Sequence, residues 1–176
     1  MLAVTHQIFG LTWGLLAILL INFIGLTPWM QSTIFELNYL LFLFFVLIGS
    51  IFLDIDEPGS KIGRMIPVIP HLFKLLFGHR TISHTLLFIV VLTGVCYGGL
   101  NTLGVADSLL YSIGLGIGML SHAIGDSMTP HGVPLLWPFI PQKIRTPITF
   151  RTGSYKERLV ASVLALVNVG LILYLV

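Results

Sequence analysis

The chain has 176 residues, of which 56% are hydrophobic and only 9% are charged, and its mean hydropathy is +0.98. Soluble domains carry about 25% charged residues, so this composition excludes an ordinary soluble protein and indicates an integral membrane protein. The formal net charge is only +2, and we expect no nucleic-acid partner.

Five segments have the length and apolar character of membrane-spanning helices, which need about 20 residues and at least roughly 17. In chain order they are residues 7–26, 37–53, 86–103, 108–125 and 158–176. Residues 62–78 are broken by Pro67 and Pro70, and we predict an interfacial amphipathic segment there. Because no repeat or low-complexity linker divides the chain, we predict a single domain over residues 1–176. The predicted fold is an all-α integral membrane protein, a compact bundle of about five transmembrane helices.

Three of these segments carry pairs of glycines four residues apart. Small residues at this spacing let helix backbones approach closely in lipid, so we predict that they are helix-packing positions. The pairs are Gly10 and Gly14, Gly94 and Gly98, and Gly114 and Gly118.

The basic residues lie on one side of the predicted topology. The alternation of the helices leaves the loops at residues 54–85 and 126–157 on the same side as the N-terminus. Eight of the nine Lys and Arg residues fall there and the ninth, Arg158, begins the next predicted helix on the same side: Lys61, Arg64, Lys74, Arg80, Lys143, Arg145, Arg151, Lys156 and Arg158. The opposite loops offer only Glu36 and Asp107. The positive-inside bias therefore predicts a cytoplasmic N-terminus and a C-terminus on the outside.

The same topology gathers histidines and carboxylates at helix ends on the cytoplasmic side. They are His6, Asp54, Asp56, His79, His84, His122 and Asp126. Ionisable groups near lipid are costly and tend to be functional, and imidazole with carboxylate suits zinc and similar divalent ions. We therefore predict a divalent metal site, for zinc first and manganese second, with enough ligands for two ions. Which histidine of "HRTISH" is the ligand stays open, because the two are five residues apart.

Each group of ligands also has an ordinary structural interpretation. His122 and Asp126 are four residues apart, so they are either two ligands of one ion or a hydrogen-bonded pair on one helix face. Asp54 and Asp56 lie in "DIDEPGSK", which is also typical of a turn into a loop. His6 alone would be an interfacial histidine. The joint pattern favours the metal site over these separate interpretations.

The order and spacing of four motifs carry a family resemblance over nearly the whole chain. They are "TH" at residues 5–6, "LDIDEPGS" at 53–60, "HRTISHTLL" at 79–87, and "SHAIGDSMTPHGVPLLWPF" at 121–139. With these motifs the sequence resembles the YdjM-like family of bacterial inner-membrane metal-dependent hydrolases. The resemblance implies a multi-pass protein of the bacterial inner membrane with metal-dependent hydrolase activity.

The order His, Asp, His, His-xxx-Asp is also similar to the ligand pattern of the zinc-dependent phospholipase C family. That resemblance implies a zinc cluster that attacks a phosphodiester. The ligands that it implies are His6, Asp54 or Asp56, His84, His122 and Asp126. His131 and Glu157 would stand in for the later His and Glu ligands of that family.

Hydrolysis at such a site needs a metal-activated water and a proton acceptor. Asp54 or Asp56 is expected to bridge two ions or to act as the general base. Arg80 is expected to pair with a phosphate through its planar fork, or else to anchor lipid headgroups. Ser83 and Ser121 precede ligands, so their hydroxyls are expected either to orient those ligands or to pack between helices.

The segment "SMTPHGVPLLWPFIPQ" contains four prolines in sixteen residues and is not expected to form a regular helix. Irregular backbone at membrane depth survives only where protein or a watery cavity surrounds it. We predict a loop that folds back over the site, with Trp137 at the level of the lipid headgroups.

From these features we expect a membrane-embedded metal-dependent hydrolase at the cytoplasmic face. Its expected partners are membrane lipids, and its expected substrate is a phosphoester of a lipid or another amphiphile. One alternative is a scaffold in which the metal only staples helix ends together. Another is a transporter or metal-handling protein, whose ligands would lie near the bilayer midplane and not at one rim.

Overall fold

The computed structural model describes residues 1–25, 37–60, 63–64, 68 and 82–176. Within these ranges the regular secondary structure is helical, in agreement with the predicted all-α membrane bundle. The helices are α1 (Ala3–Ile24), α2 (Leu37–Phe52), α3 (Leu86–Thr102), α4 (Ser108–Ser127) and α5 (Tyr155–Leu175). A single 3-10 turn, Leu53–Asp56, continues α2.

Four of these helices, α1, α2 with its 3-10 turn, α4 and α5, are long and apolar enough to cross a membrane. Helix α3 has 17 residues, the lower limit for a spanning helix, which corresponds to about 25 Å at 1.5 Å per residue. The predicted interfacial segment at residues 62–78 lies outside the described residues, apart from three isolated positions.

The observed helix starts differ from the predicted ones where polar residues begin a helix. Helix α5 starts at Tyr155, three residues before the predicted apolar run. The reason is an N-cap, in which the Ser154 hydroxyl accepts a hydrogen bond from the backbone N–H of Glu157 and satisfies one of the free donors of the first turn. Helix α1 starts at Ala3, four residues before the predicted segment, and includes the buried Thr5 and His6. A prediction based on runs of apolar residues omits such polar residues.

Helix α4 lies at the centre of the bundle, in contact with α1, α2 and α3, and α5 packs against α1. A buried apolar cluster joins the end of α2 to α3 and α4; it consists of Leu53, Ile89, Leu115, Met119 and Ala123. Because Leu53 precedes Asp54 and Ala123 follows His122, this cluster determines where two of the predicted metal ligands lie.

Two of the three glycine pairs are confirmed as close-packing positions. A Cβ at Gly14 would lie 2.9 Å from Leu43, a Cβ at Gly114 would lie 2.8 Å from the Phe42 carbonyl oxygen, and one at Gly118 would collide with the Val46 carbonyl. The third pair, on α3, differs. No atom of the described residues lies within 4 Å of a Cβ built at either of its glycines. Among the described residues, the prediction that this pair packs against another helix is therefore wrong.

Adding one methyl group at Gly118 should therefore destabilise the bundle. We expect Gly118→Ala to lower the free energy of unfolding by about 2 kcal/mol, because the new Cβ meets backbone that has no room to move. Gly98→Ala is the matched control, since its Cβ would meet no described atom within 4 Å. Thermal unfolding of both variants in one detergent tests this, and equal midpoints would show that the α2–α4 contact is looser than the structure has it.

The proline-rich stretch forms an irregular loop between α4 and α5, residues 128–154, as predicted. An isolated antiparallel bridge joins Val133 and Ile144. The loop returns to the helix ends, because the backbone N–H of Leu86, the first residue of α3, donates to the Leu135 carbonyl at 2.8 Å. This hydrogen bond brings the loop to the segment that carries His84.

Candidate metal centre

Four separate parts of the chain converge at one end of the bundle. His6 comes from the start of α1, Asp54 from the 3-10 turn after α2, His84 from the segment before α3, and His122 and Asp126 from the last turns of α4. The side chain of Asp54 is 17% exposed, and the other four are fully buried. The structure thus brings together five of the seven residues predicted to be metal ligands.

Four of these residues, Asp54, His84, His122 and Asp126, each offer a ligand atom, and the four atoms all lie within 4.8 Å of one another. His84 Nε2 lies 3.5 Å from Asp126 Oδ2, and His122 Nε2 lies 3.5 Å from Asp54 Oδ1 and 3.7 Å from Asp126 Oδ2. Ligand atoms around a tetrahedral zinc ion, at about 2.0–2.1 Å from it, are about 3.3–3.4 Å apart. Three of the six distances between ligand atoms are close to this spacing, and the others, which are within 4.8 Å, would have to shorten around a tetrahedral ion.

The ring nitrogens that face this group make no hydrogen bond within the described part of the chain. His84 Nε2 and His122 Nε2 are both buried and without a hydrogen-bond partner there. A buried polar atom that lacks a partner is costly, and a lone pair on each nitrogen would be satisfied by a metal ion. The donor set therefore fits a divalent cation.

A backbone carbonyl determines the tautomer of His122. Its Nδ1 lies 2.7 Å from the Ser50 carbonyl oxygen, which can only accept, so Nδ1 must carry the proton. In the neutral ring the lone pair is then on Nε2, which faces Asp54 and Asp126. Metal-binding histidines in proteins are commonly oriented in this way. Sequence reasoning missed Ser50 because a backbone acceptor leaves no signal in residue type.

A serine and a carboxylate orient His84 in the same sense. The Ser83 hydroxyl donates to Asp56 Oδ2 at 2.6 Å and lies 2.9 Å from His84 Nδ1. Since its one hydrogen is used, the Ser83 oxygen accepts from the Nδ1–H of His84. The lone pair of the ring is again on Nε2, which faces Asp126.

Burial lowers the pKa of the His84 imidazole, and its contacts with Asp126 oppose this shift. The neutral ring, which is the form that binds metal, is therefore favoured. Asp56 lies on the Nδ1 side of the ring, 3.8 Å from that nitrogen, and is outside the group of four. Of the two predicted aspartates, only Asp54 is in the group.

His6 approaches the group from the other side of Asp126. Its Nε2 lies 3.3 Å from Asp126 Oδ1, the oxygen that also accepts from the Met1 ammonium group at 2.7 Å. The rings of His6 and His122 are stacked, with centroids 3.7 Å apart and planes 4° from parallel. The two oxygens of Asp126 thus face different partners, with His6 on one side and His84 and His122 on the other.

The remaining predicted site residues lie elsewhere. The Ser121 hydroxyl donates to the Gly118 carbonyl within α4, so it has the packing role and not the orienting one. His131 is exposed on the loop. The buried Glu157 accepts from the backbone N–H groups of Leu2 and Gly153 at 2.7 and 2.5 Å. It therefore ties the start of α5 to the start of α1 and is not a metal ligand within the group of four. His79 and Arg80 lie outside the described residues.

Comparison with known proteins identifies the family. The family model described as YdjM inner membrane protein matches residues 1–176. The chain is 36% identical over 121 residues to the uncharacterized protein YvsG of Bacillus subtilis (strain 168), which covers 69% of this chain and 71% of YvsG. It is also 36% identical over 114 residues to the inner membrane protein YdjM of Escherichia coli (strain K12), which covers 63% of this chain and 56% of that protein.

The YdjM of Shigella flexneri matches to the same extent, so the chain spans little more than half the length of both YdjM relatives. No solved structure matches the chain significantly. With several apolar helices and a family match from end to end, the protein is a multi-pass inner membrane protein. The chain belongs to the YdjM inner membrane protein family.

Proposed function

We propose that the protein is a metal-dependent hydrolase embedded in the inner membrane, and that it cleaves a phosphoester of a lipid or another amphiphile. The observation that carries this proposal is the group of Asp54, His84, His122 and Asp126 at one end of the bundle. Both histidines of the group turn an Nε2 without a hydrogen-bond partner among the described residues toward the carboxylates.

Zinc suits this donor set best, since imidazole nitrogen and carboxylate oxygen are both among its protein ligands, and manganese is the second choice. His6 is not assigned a second ion, because the Asp126 oxygen that it faces already accepts from the Met1 ammonium group. When bound, a divalent ion supplies a Lewis acid that lowers the pKa of a water molecule to about 7 and polarises a phosphoryl oxygen.

Asp54 is the residue of the group that a substrate reaches first, because its side chain is 17% exposed and the other three are buried. We assign it a role as ligand and as general base, which takes a proton from the attacking water as the new P–O bond forms. The leaving alcohol then takes that proton as the old P–O bond breaks. Asp56 is assigned a positioning role through Ser83 and His84. Arg80 is assigned a role in binding the phosphate, because its guanidinium group suits a phosphate and it lies in the "HRTISH" motif with His84.

The charge distribution supports a site on the cytoplasmic side. The loop that follows α4, at whose end the group lies, carries Lys143, Arg145 and Arg151, all exposed, and α5 begins with the exposed Lys156 and Arg158. Basic residues are retained on the cytoplasmic side, where the lipid surface is anionic. The C-terminus, at the far end of α5, would then be outside.

A second candidate function is a scaffold in which the metal only joins helix ends. Its support is that the group offers four protein ligands, and structural zinc sites are closed in this way while catalytic sites keep one position open. The two functions differ in whether the metal-loaded protein turns over a substrate.

Metal-loaded protein should release headgroup or phosphate from at least one lipid class, and metal-free protein should release none. We would strip purified protein with a chelator, reload it with zinc or manganese, and add it to vesicles of phosphatidylethanolamine, phosphatidylglycerol, cardiolipin or phosphatidic acid. Released phosphate and headgroup are measured by mass spectrometry. Protein that takes up metal and unfolds at a higher temperature, yet cleaves none of these lipids, would favour the scaffold and end the lipid-hydrolase proposal.

A further inference from the structure

An apolar groove of about 220 Å³ opens between the start of α3 and the loop that follows α4. We call it the α3–loop groove. Its lining is entirely apolar and consists of Leu86, Leu87, Val90, Leu135, Leu136, Trp137 and Phe139. Several of these side chains are open to the surroundings, with Val90 60% and Phe139 84% exposed. The groove is therefore accessible from outside the protein.

Backbone hydrogen bonds hold the two walls of the groove together. The Leu86 N–H donates to the Leu135 carbonyl at 2.8 Å, so the loop is joined to α3 at the groove itself. The Thr85 hydroxyl caps α3 by accepting from the Phe88 N–H, which defines where the helical wall begins. The Trp137 N–H donates to the Pro134 carbonyl in a turn. The groove thus has two walls of defined backbone.

The groove begins beside the metal-ligand group. Leu86 is two residues after His84. On the other wall, Leu135 packs against the buried cluster that contains Leu53 and Ala123, the neighbours of Asp54 and His122. A molecule lying in the groove would therefore have one end close to the proposed catalytic group.

The chemistry of the groove selects hydrocarbon. The lining has no charged or hydroxyl side chain that would bind a water-soluble phosphoester. An acyl chain would instead be bound by the burial of apolar surface. The volume is below the roughly 300–1,000 Å³ of pockets that enclose a whole drug-sized ligand, so it suits one linear chain. The exposed Lys143 and Arg145 of the same loop would attract the anionic headgroup of such a molecule.

We propose that the α3–loop groove binds one acyl chain of a membrane phospholipid and presents its phosphoester to the Asp54, His84, His122 and Asp126 group. This inference rests on the proposed function and narrows its substrate to long-chain phospholipids. Val90 then determines how much chain the groove accepts, because it lines the groove on the helical wall.

Photo-crosslinking tests the inference without relying on turnover. Protein in nanodiscs would receive a trace of phosphatidylglycerol with a diazirine in one acyl chain, and labelled peptides would be mapped by mass spectrometry. We expect labelling to concentrate on residues 86–90 and 135–139, and Val90→Trp to reduce it about tenfold by filling the groove. Val91→Trp is the matched control, since Val91 is 55% exposed on the same helix and does not line the groove. Label spread over α3 and α5 in proportion to exposure, and equal in both variants, would overturn the inference.

The outcomes separate this inference from the proposed function. Groove-specific labelling in a protein that cleaves no phospholipid supports the lipid site and ends the lipid-hydrolase proposal. Cleavage of long-chain and short-chain phospholipids at equal rates, unchanged in Val90→Trp, ends the groove inference and leaves the hydrolase standing. Bound metal, measured in both tryptophan variants, should equal that of the wild type, because neither residue belongs to the group of four.

Discussion

Replacing Asp126 with asparagine is expected to lower metal affinity by more than about 100-fold, since losing even an outer partner of a metal ligand costs about 10–100-fold. Asp126 is the carboxylate that the three histidines share, at 3.3 Å from His6, 3.5 Å from His84 and 3.7 Å from His122. An amide in its place removes the negative charge that offsets a dication in a buried site. It also replaces one of the two carboxylate oxygens with an NH2 group, which cannot bind a cation, and leaves the other as a neutral and weaker ligand.

Asp107→Asn is the control for this variant. Asp107 precedes the first turn of the same helix, α4, and its side chain makes no capping hydrogen bond, so the same chemical change there leaves the site untouched. Metal bound to detergent-purified protein would be measured by elemental mass spectrometry. If the Asp126 variant keeps its metal, or the wild type holds none above the level of a mock purification, the metal centre is refuted.

Asp54→Asn is expected to reduce phosphoester hydrolysis by about 10²–10⁴-fold at saturating metal, the range for losing a general base. Asp54 lies 3.5 Å from His122 Nε2 and is the most exposed member of the group, which places it between the buried ligands and an arriving substrate. Asparagine keeps the shape of the side chain but cannot accept the proton.

Glu57→Gln makes the same carboxylate-to-amide change three residues later, where the side chain accepts a hydrogen bond from the Gly59 N–H. Its rate should equal that of the wild type. Rates would be compared on a phosphodiester reporter and on whichever lipid the vesicle panel identifies, with metal content checked for each protein. An Asp54→Asn protein as active as Glu57→Gln would remove Asp54 from the mechanism.

The convergence of ligands at one end of the bundle could be predicted because topology leaves little choice. A chain that crosses a membrane by successive helices returns to the same side after every second helix, so His6, Asp54, His84 and Asp126 had to share a face. Capping and exact helix bounds were harder to predict. The early start of α5 depends on Ser154 and Glu157, and counting apolar residues does not detect polar residues that are buried.

The division of roles between Asp54 and Asp56 was not predictable from sequence. The two lie on one 3-10 turn, where about three residues complete a turn, so residues two apart point in different directions. Only the packed structure shows that Asp54 faces His122 while Asp56 accepts from Ser83. In the same way, Gly118 and Gly98 have the same spacing motif, yet within the described part of the chain Gly118 meets another helix and Gly98 does not.

By itself, then, the sequence determined that this is a helical membrane protein with histidines and carboxylates at one rim, since hydropathy, charge bias and helix order are properties of the chain read in one dimension. The tertiary structure decided which of those side chains meet and which nitrogen of His84 and His122 faces the carboxylates. It also decided that an apolar groove adjoins them. Those features depend on contacts between residues far apart in the chain, and such contacts are set by packing and not by local pattern.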